Sequence, residues 1–298
     1  MQAKLAPFFI LMAAVLWGTT GTAQALAPDG VHPIAIGAVR MAIAGLFLMG
    51  LLRATRSFNP KGWPIPALLM AALSMAAYQP LFFSAVTMTG VAIGTVVAIG
   101  SAPVLSGLLE WLFLKVRPAR VWWISTVLSI AGCIMLFSNQ GAVQADPAGI
   151  LLALGAGLSF AVYTIVNRKL VQHHPPLSAV AAVFTLSAVM LSPFLFIFDI
   201  SWVLNVRGLS VALHLGVITT AVAYILFSRG LSHTSSSTAV TLSLGEPLTA
   251  AMLGVLVLNE ALSLLSWLGV GLLLLGIGVL IFSTARKGTR QRLDQKTA

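Results

Sequence analysis

Charge is what this chain has least of. Only 8% of its 298 residues are charged, seven of them acidic, whereas roughly a quarter of a typical soluble domain carries charge. No water-facing surface can be built from so few, and the 58% of residues that are apolar must face lipid or one another. Cysteine is nearly absent too. A single Cys133 inside an apolar run excludes an intrachain disulfide framework and any Cys-based metal site. Also missing are a Gly-x-Ser-x-Gly elbow, a His-Glu-x-x-His helix, a P-loop and acids at metal-ligand spacing, so the chain holds no recognisable residues for catalysis, for ATP drive or for a cofactor. The formal charge of +10 raises nucleic acid as a partner, but phosphate-binding residues should cluster with aromatics on a solvated domain, and there is none. No nucleic-acid partner is expected.

What the chain does have is long apolar runs. Read at about 20 residues per span for a hydrocarbon core of roughly 30 Å, they predict helices over 7–27, 33–52, 65–88, 91–114, 120–138, 148–170, 177–199, 208–230, 237–258 and 264–284. The first span also reads as a signal peptide, since Lys4, an apolar run and the small-residue stretch 22–27 have that pattern. Against this, Trp17 precedes Pro33 by the same spacing at which Phe160 precedes Pro176, so the span has a counterpart.

That counterpart belongs to an internal repeat. A shift of 144 residues lays Phe83 on Phe227, Ser84 on Ser228, Ser101 on Gly245, Pro103 on Pro247, Trp123 on Trp267 and Gly132 on Gly276. Matched Trp, Pro and Gly at one offset indicate duplication, with units at 1–142 and 143–298. Five helices per copy is odd, so the second copy enters the membrane from the opposite side. The expected fold is therefore all-α, a polytopic membrane protein of ten transmembrane helices in two inverted five-helix repeats.

Lysine and arginine set the orientation. One set of ends and loops holds fifteen of them, from Lys4 through Arg53, Lys115, Arg168 and Arg229 to Lys296, whereas the opposite set holds Arg207. Both termini are expected in the cytoplasm, because basic loops stay inside.

The site residues are sought at membrane depth, where an ionisable group costs roughly 2.5–3.5 kcal/mol at the bilayer centre. Arg40, Glu110, Glu246 and His214 are such groups. Glu246 lies nearest mid-helix, precedes Pro247 and stands where the first copy has Ala102. Pro247 donates no hydrogen bond to the carbonyl near Ser243, so this stretch offers an acid and a backbone acceptor to an ammonium group or a proton. The alternative is a carboxyl that only fixes packing. Glu110 lies about a turn from the cytoplasmic end, where it can snorkel or hydrogen-bond, and Arg40 suits an ion pair or an anion contact. Trp17 sits beside Gly18, Thr19, Thr20 and Gly21, small residues that allow close backbone approach and hydroxyls that can line a polar path. Tyr78, Tyr163 and Tyr224 fall inside spans; a phenol without a partner in lipid costs several kcal/mol, so they should face inward, as core tyrosines or cavity lining. The expected cavity lining is Trp17, Thr20, Tyr78, Gln79, Ser101, Pro103, Tyr163, Tyr224, Ser243, Glu246 and Pro247, with a small-molecule substrate and the lipid bilayer as partners.

Leu16-Trp17-Gly18-Thr19-Thr20, the stretch from Tyr78-Gln79-Pro80 to Ser84, the paired Pro103 and Pro247, and Leu258-Asn259-Glu260 together resemble the drug/metabolite transporter superfamily, and within it the EamA-like ten-helix exporters. The likeness spans nearly the whole chain and is greatest to the inner-membrane aromatic amino-acid exporter type. One departure is that Asn259 stands where the family commonly has Gly before Glu. The resemblance implies export of amino acids or related metabolites through a central cavity. A multidrug or sugar-nucleotide carrier is the alternative within transport. A membrane scaffold is the alternative outside it, and explains the duplication but not a midplane acid.

Overall fold

The computed structural model describes residues 2–56, 62–137, 146–258 and 262–297. They form ten principal helices: α1 Gln2–Ala25, α2 Pro33–Ala54, α3 Ile65–Gly90, α4 Ile93–Leu114, α5 Arg120–Phe137, α6 Pro147–His173, α7 Pro176–Leu191, α8 Val206–Leu231, α9 Ser236–Val257 and α10 Leu264–Thr297. Among the described residues there is no strand. All but α7 contain a span long and apolar enough to cross a bilayer. The expected junction at 142/143 and the Asn259-Glu260 pair lie outside the described residues.

Short sequence signals set most boundaries. Proline opens α2, α6 and α7, where a missing N–H is harmless. Asp146 caps α6 by accepting from Ala148 N–H at 2.8 Å. Gly90 alone separates α3 from α4; its φ of 81° and ψ of 160° belong to a region open to glycine, so one residue redirects the chain.

Three spans differ from expectation. The seventh, expected over 177–199, stops at Leu191: Pro193 cannot donate to Val189 O, and that carbonyl is taken instead by Ser192 through its N–H at 3.2 Å and its Oγ–H at 2.8 Å. The chain then runs through two short helical turns, Phe194–Ile197 and Ser201–Leu204, before α8. Within α8, His214–Val222 is π-helical. Thr219 and Thr220 both donate to Leu215 O, at 2.9 and 2.7 Å. The tenth helix continues past its apolar span to Thr297.

The packing repeats the duplication. α2 lies on α7 and α5 on α10, each pairing an element with its own copy; α1 packs on α8 and α9 as α6 packs on α3 and α4. Exchange of the halves therefore maps the contacts onto themselves, as a pseudo-twofold axis requires. The α5–α10 seam shows this at atomic scale. A Cβ on Gly132 would lie 2.7 Å from Gly269 O, and one on Gly276 would lie 2.8 Å from Ser125 O. Those two contacts are images under the 144-residue shift, and Ser125 adds a bond from its Oγ to Gly276 O at 2.6 Å. Such backbone proximity needs residues without side-chain bulk.

Candidate functional site

A cavity of about 200 Å³ lies between the halves. Its floor is aromatic: Trp17 packs against Tyr224, Phe227 and Phe160 with ring centroids 4.8, 5.2 and 5.9 Å apart, and Tyr78 adjoins Phe160 at 6.2 Å. Trp17 and Phe160 are repeat counterparts that meet at the pseudo-twofold axis. From here the lining runs through Gln24, Val86, Thr95 and Phe137. These residues lie where α1, α3 and α5 end and α4 begins, at the end of the bundle away from the termini. Neither 107–114 of α4 nor Ser236–Leu242 of α9 contributes.

The acid of the lining comes from an interrupted helix. In α9 the α-helix stops at Leu242 and resumes at Gly245, leaving Ser243 and Leu244 as a turn just before Glu246 and Pro247. The carbonyl that Pro247 cannot engage is not left free, however: Glu246 N–H donates to Ser243 O at 2.9 Å. The expected free backbone acceptor is thus absent, because a tighter turn satisfies it. Gly18 of α1 makes room for this turn, since a Cβ there would lie 2.8 Å from Glu246 O. Glu246 is half-buried and faces the cavity, and no donor among the described residues reaches its carboxylate. Ala102 and Ile99, the counterparts of Glu246 and Ser243, line the other wall. At these two paired positions α9 is polar and α4 is not.

Of the residues named from sequence, Trp17, Thr20, Tyr78, Gln79, Tyr224, Ser243, Glu246 and Pro247 border the cavity, and Ser101, Pro103 and Tyr163 do not. Ser101 turns toward α6, where it meets Gly157 and donates to Ala98 O at 3.2 Å. Pro103 is buried in the helix packing. Tyr163 is fully buried behind the cavity, its ring 5.7 Å from Tyr224 and 6.1 Å from Phe184, and its hydroxyl lies by Ser228 without a bond of good geometry. The symmetry that placed Ser101 and Pro103 in the lining overlooked how closely Gly157 brings α6 against α4. Arg40 is the lining residue that sequence flagged as ionisable but did not place in the cavity. Phe82, Phe137 and Phe160 gave no signal in so apolar a chain.

Glu110 has a different task. It is 2% exposed, lies at the end of the bundle that carries the termini, and receives Ser236 N–H at 2.7 Å, Ser237 N–H at 3.3 Å and Ser237 Oγ–H at 2.6 Å. These are free N–H groups of the first turn of α9, so a carboxylate from α4 caps the helix that is its own repeat counterpart. Arg168 Nη1 lies 3.8 Å away. Ser235 caps the same turn by accepting from Thr238 N–H at 3.2 Å.

Apolar helices in two interlocked halves, a midplane cavity and an acid at a helix break define a polytopic membrane transporter. The model of the EamA-like transporter family matches residues 4–138 and again 147–282. An uncharacterized transporter of Bacillus subtilis, YwfM, is 49% identical over all of this chain and 98% of its own length. The threonine/homoserine exporter RhtA of Escherichia coli is 28% identical over 89% of this chain and 88% of that protein. A solved crystal structure superimposes with a TM-score of 0.82 at 21% identity, over 94% of this chain and 98% of that one, a likeness of fold. This chain belongs to the EamA-like transporter family.

Proposed function

We propose that the protein is a secondary exporter that moves amino acids or related small metabolites out of the cytoplasm by alternating access, with units 1–142 and 143–298 rocking about the cavity between them. The observation that carries this reading is Glu246, an acid without a donor among the described residues, at the interruption of α9 and facing a cavity that also holds Arg40 and several aromatic rings. A broken helix at a repeat interface is where transporters of this architecture hold substrate. The threonine/homoserine exporter among the relatives supports the amino-acid class. The excess of Lys and Arg at the end with the termini supports placing that end in the cytoplasm. In this reading the conformation described is the one from which substrate leaves, since the lining extends toward the opposite end.

Counterflow of labelled threonine, homoserine and phenylalanine into proteoliposomes tests the proposal. Wild-type protein should accelerate uptake of at least one over empty liposomes, and Glu246→Gln should depress counterflow or alter its pH dependence while leaving thermal stability near wild type. Absence of counterflow with all three removes the amino-acid reading. Wild-type rate and pH profile in a stable Glu246→Gln protein would remove Glu246 from the mechanism.

A further inference from the structure

Arg40 lies on α2 and is 8% exposed, and its charge has to be accommodated inside the bundle. Its Nε–H donates to Thr220 Oγ1 at 3.0 Å. Thr220 in turn donates to Leu215 O, five residues back, which is the spacing that the π-helical stretch provides. The irregular turn of α8 therefore fixes the orientation of the guanidinium. A π-helical stretch inside an α-helix is often found at functional sites. Gly216 on the same stretch permits the approach, since a Cβ there would lie 3.1 Å from Arg40 O.

With Nε engaged, both terminal nitrogens of Arg40 remain without an acceptor among the described residues, and neither is sealed from the cavity that the residue borders. A buried guanidinium with unengaged donors calls for an acceptor, and the planar fork suits a carboxylate held by two parallel bonds. Glu246 does not fill that place. The two residues border one cavity, but their charged atoms form no ion pair. The cavity thus offers one cation and one anion, each with free hydrogen-bonding capacity, separated by space.

We infer that Arg40 is a substrate-contacting residue that takes the carboxylate of a zwitterionic α-amino acid whose ammonium group faces Glu246. This rests on the exporter reading above and narrows its substrate class. A lone cation would leave Arg40 unengaged and a lone anion would leave Glu246 so, whereas a zwitterion satisfies both. A site built to hydrogen-bond a substrate group discriminates strongly against an analogue that lacks it. Thr220, which does not line the cavity, is a positioning residue for Arg40.

The test is ligand-dependent thermal stabilisation of the purified protein by three forms each of threonine and phenylalanine: the free amino acid, the methyl ester, which lacks the carboxylate, and the N-acetyl derivative, which lacks the ammonium. At least one free amino acid should bind about tenfold or more tighter than both of its derivatives, the least that loss of a charged hydrogen-bond partner produces. Arg40→Gln should bring the free amino acid down to the level of the ester and leave the ester's affinity within about twofold. Arg40→Lys should keep part of the preference, and Thr220→Val should weaken it without changing the ester. An ester that binds wild type as tightly as the free amino acid, equal losses for all three forms in Arg40→Gln, or no binding of either free amino acid would each overturn the inference. Should Arg40→Gln not fold, the wild-type series with Arg40→Lys and Thr220→Val still decides. Discriminating binding without counterflow would count against the exporter reading alone. Counterflow by Arg40→Gln with unchanged half-saturation would count against Arg40 alone.

Discussion

In the alternating-access reading proposed above, the carboxylate of Glu110 can serve only one of the two conformations. Its three accepted hydrogen bonds tie the end of α4 to the first turn of α9 on the side of the bundle where the cavity is closed. Opening that side must break them. In Glu110→Gln the shape is retained, but the amide NH2 meets N–H donors of α9 on one side and the remaining bonds lose their charge assistance. Hydrogen bonds to charged groups contribute about 1.5–3 kcal/mol each, so the loss is about 3 kcal/mol. Because the loss falls on the closed side only, the equilibrium should move toward opening there by roughly 100-fold.

Ser106 reports that movement. It is fully buried and one turn before Glu110 on α4. With Cys133→Ala as background, Ser106→Cys should react with a membrane-impermeant maleimide from the terminal side far faster when Glu110→Gln is added, approaching the 100-fold shift. Ser129→Cys on α5, also fully buried, should show no change. An unchanged rate at Ser106→Cys in a folded protein would reduce Glu110 to a static cap. Equal acceleration at both positions would indicate general loosening and refute the reasoning just as well.

Three further outcomes are expected. Gly132→Val should destabilise the protein by about 1–3 kcal/mol in a thermal or denaturant melt, because the new atoms meet backbone of α10 that cannot move aside, whereas Gly271→Ala, with nothing near it, should be neutral or slightly stabilising. The N–H and hydroxyl of Ser201 hold the carboxyl of Asp199 below the usual carboxylate range, so the stabilisation from that turn is complete above the ordinary value of about 4 and is lost as pH falls through the lower folded value; Asp199→Asn should remove this contribution from the acid limb of a pH–stability curve. In intact cells of a Cys133→Ala strain, Leu204→Cys should label with an impermeant reagent and Lys115→Cys should label only after permeabilisation, with the reverse pattern refuting the orientation.

Much of the scaffold was legible in the sequence because lipid allows so few solutions. Any segment that crosses it must satisfy its own backbone, so apolar length alone gave ten helices, including the separation of 65–88 from 91–114. What composition did not give was irregularity inside a span. The π-helical turn of α8 depends on hydroxyl bonds of Thr219 and Thr220, residues that occur in ordinary helices as well. In the site, Glu246, Tyr78 and Tyr224 could be found because burying polar groups in lipid is costly. Arg40 was flagged by the same cost, yet its partner lies 180 residues away and only the fold brings the two together. Glu110 was placed at a helix end but not assigned to the turn it caps, since nothing local to either segment links them.

The duplication also bears on what would favour one conformation over the other. Two inverted copies with equal sequences would make the inward-open and outward-open states mirror each other in energy, so any bias must come from positions where the copies differ. Glu110 is such a position. Its counterpart is Gly254, and the counterparts of Ser236 and Ser237 are Ala92 and Ile93, so the other end of the bundle holds neither the carboxylate nor the hydroxyl that the closed end uses. Arg40, Thr220, Ser243 and Glu246 differ in the same way, since the polar equipment of the cavity comes from one member of each related pair. One end is therefore tied by a bond set that its counterpart lacks, and the cavity reaches toward the untied end. Exchanging that asymmetry, with Glu110→Gly and Gly254→Glu combined with Ala92→Ser and Ile93→Ser, should favour the state closed at the opposite end, read as faster labelling of Ser106→Cys in the exchanged background. Labelling as slow as in wild type would mean that the bias resides elsewhere in the sequence difference between the halves.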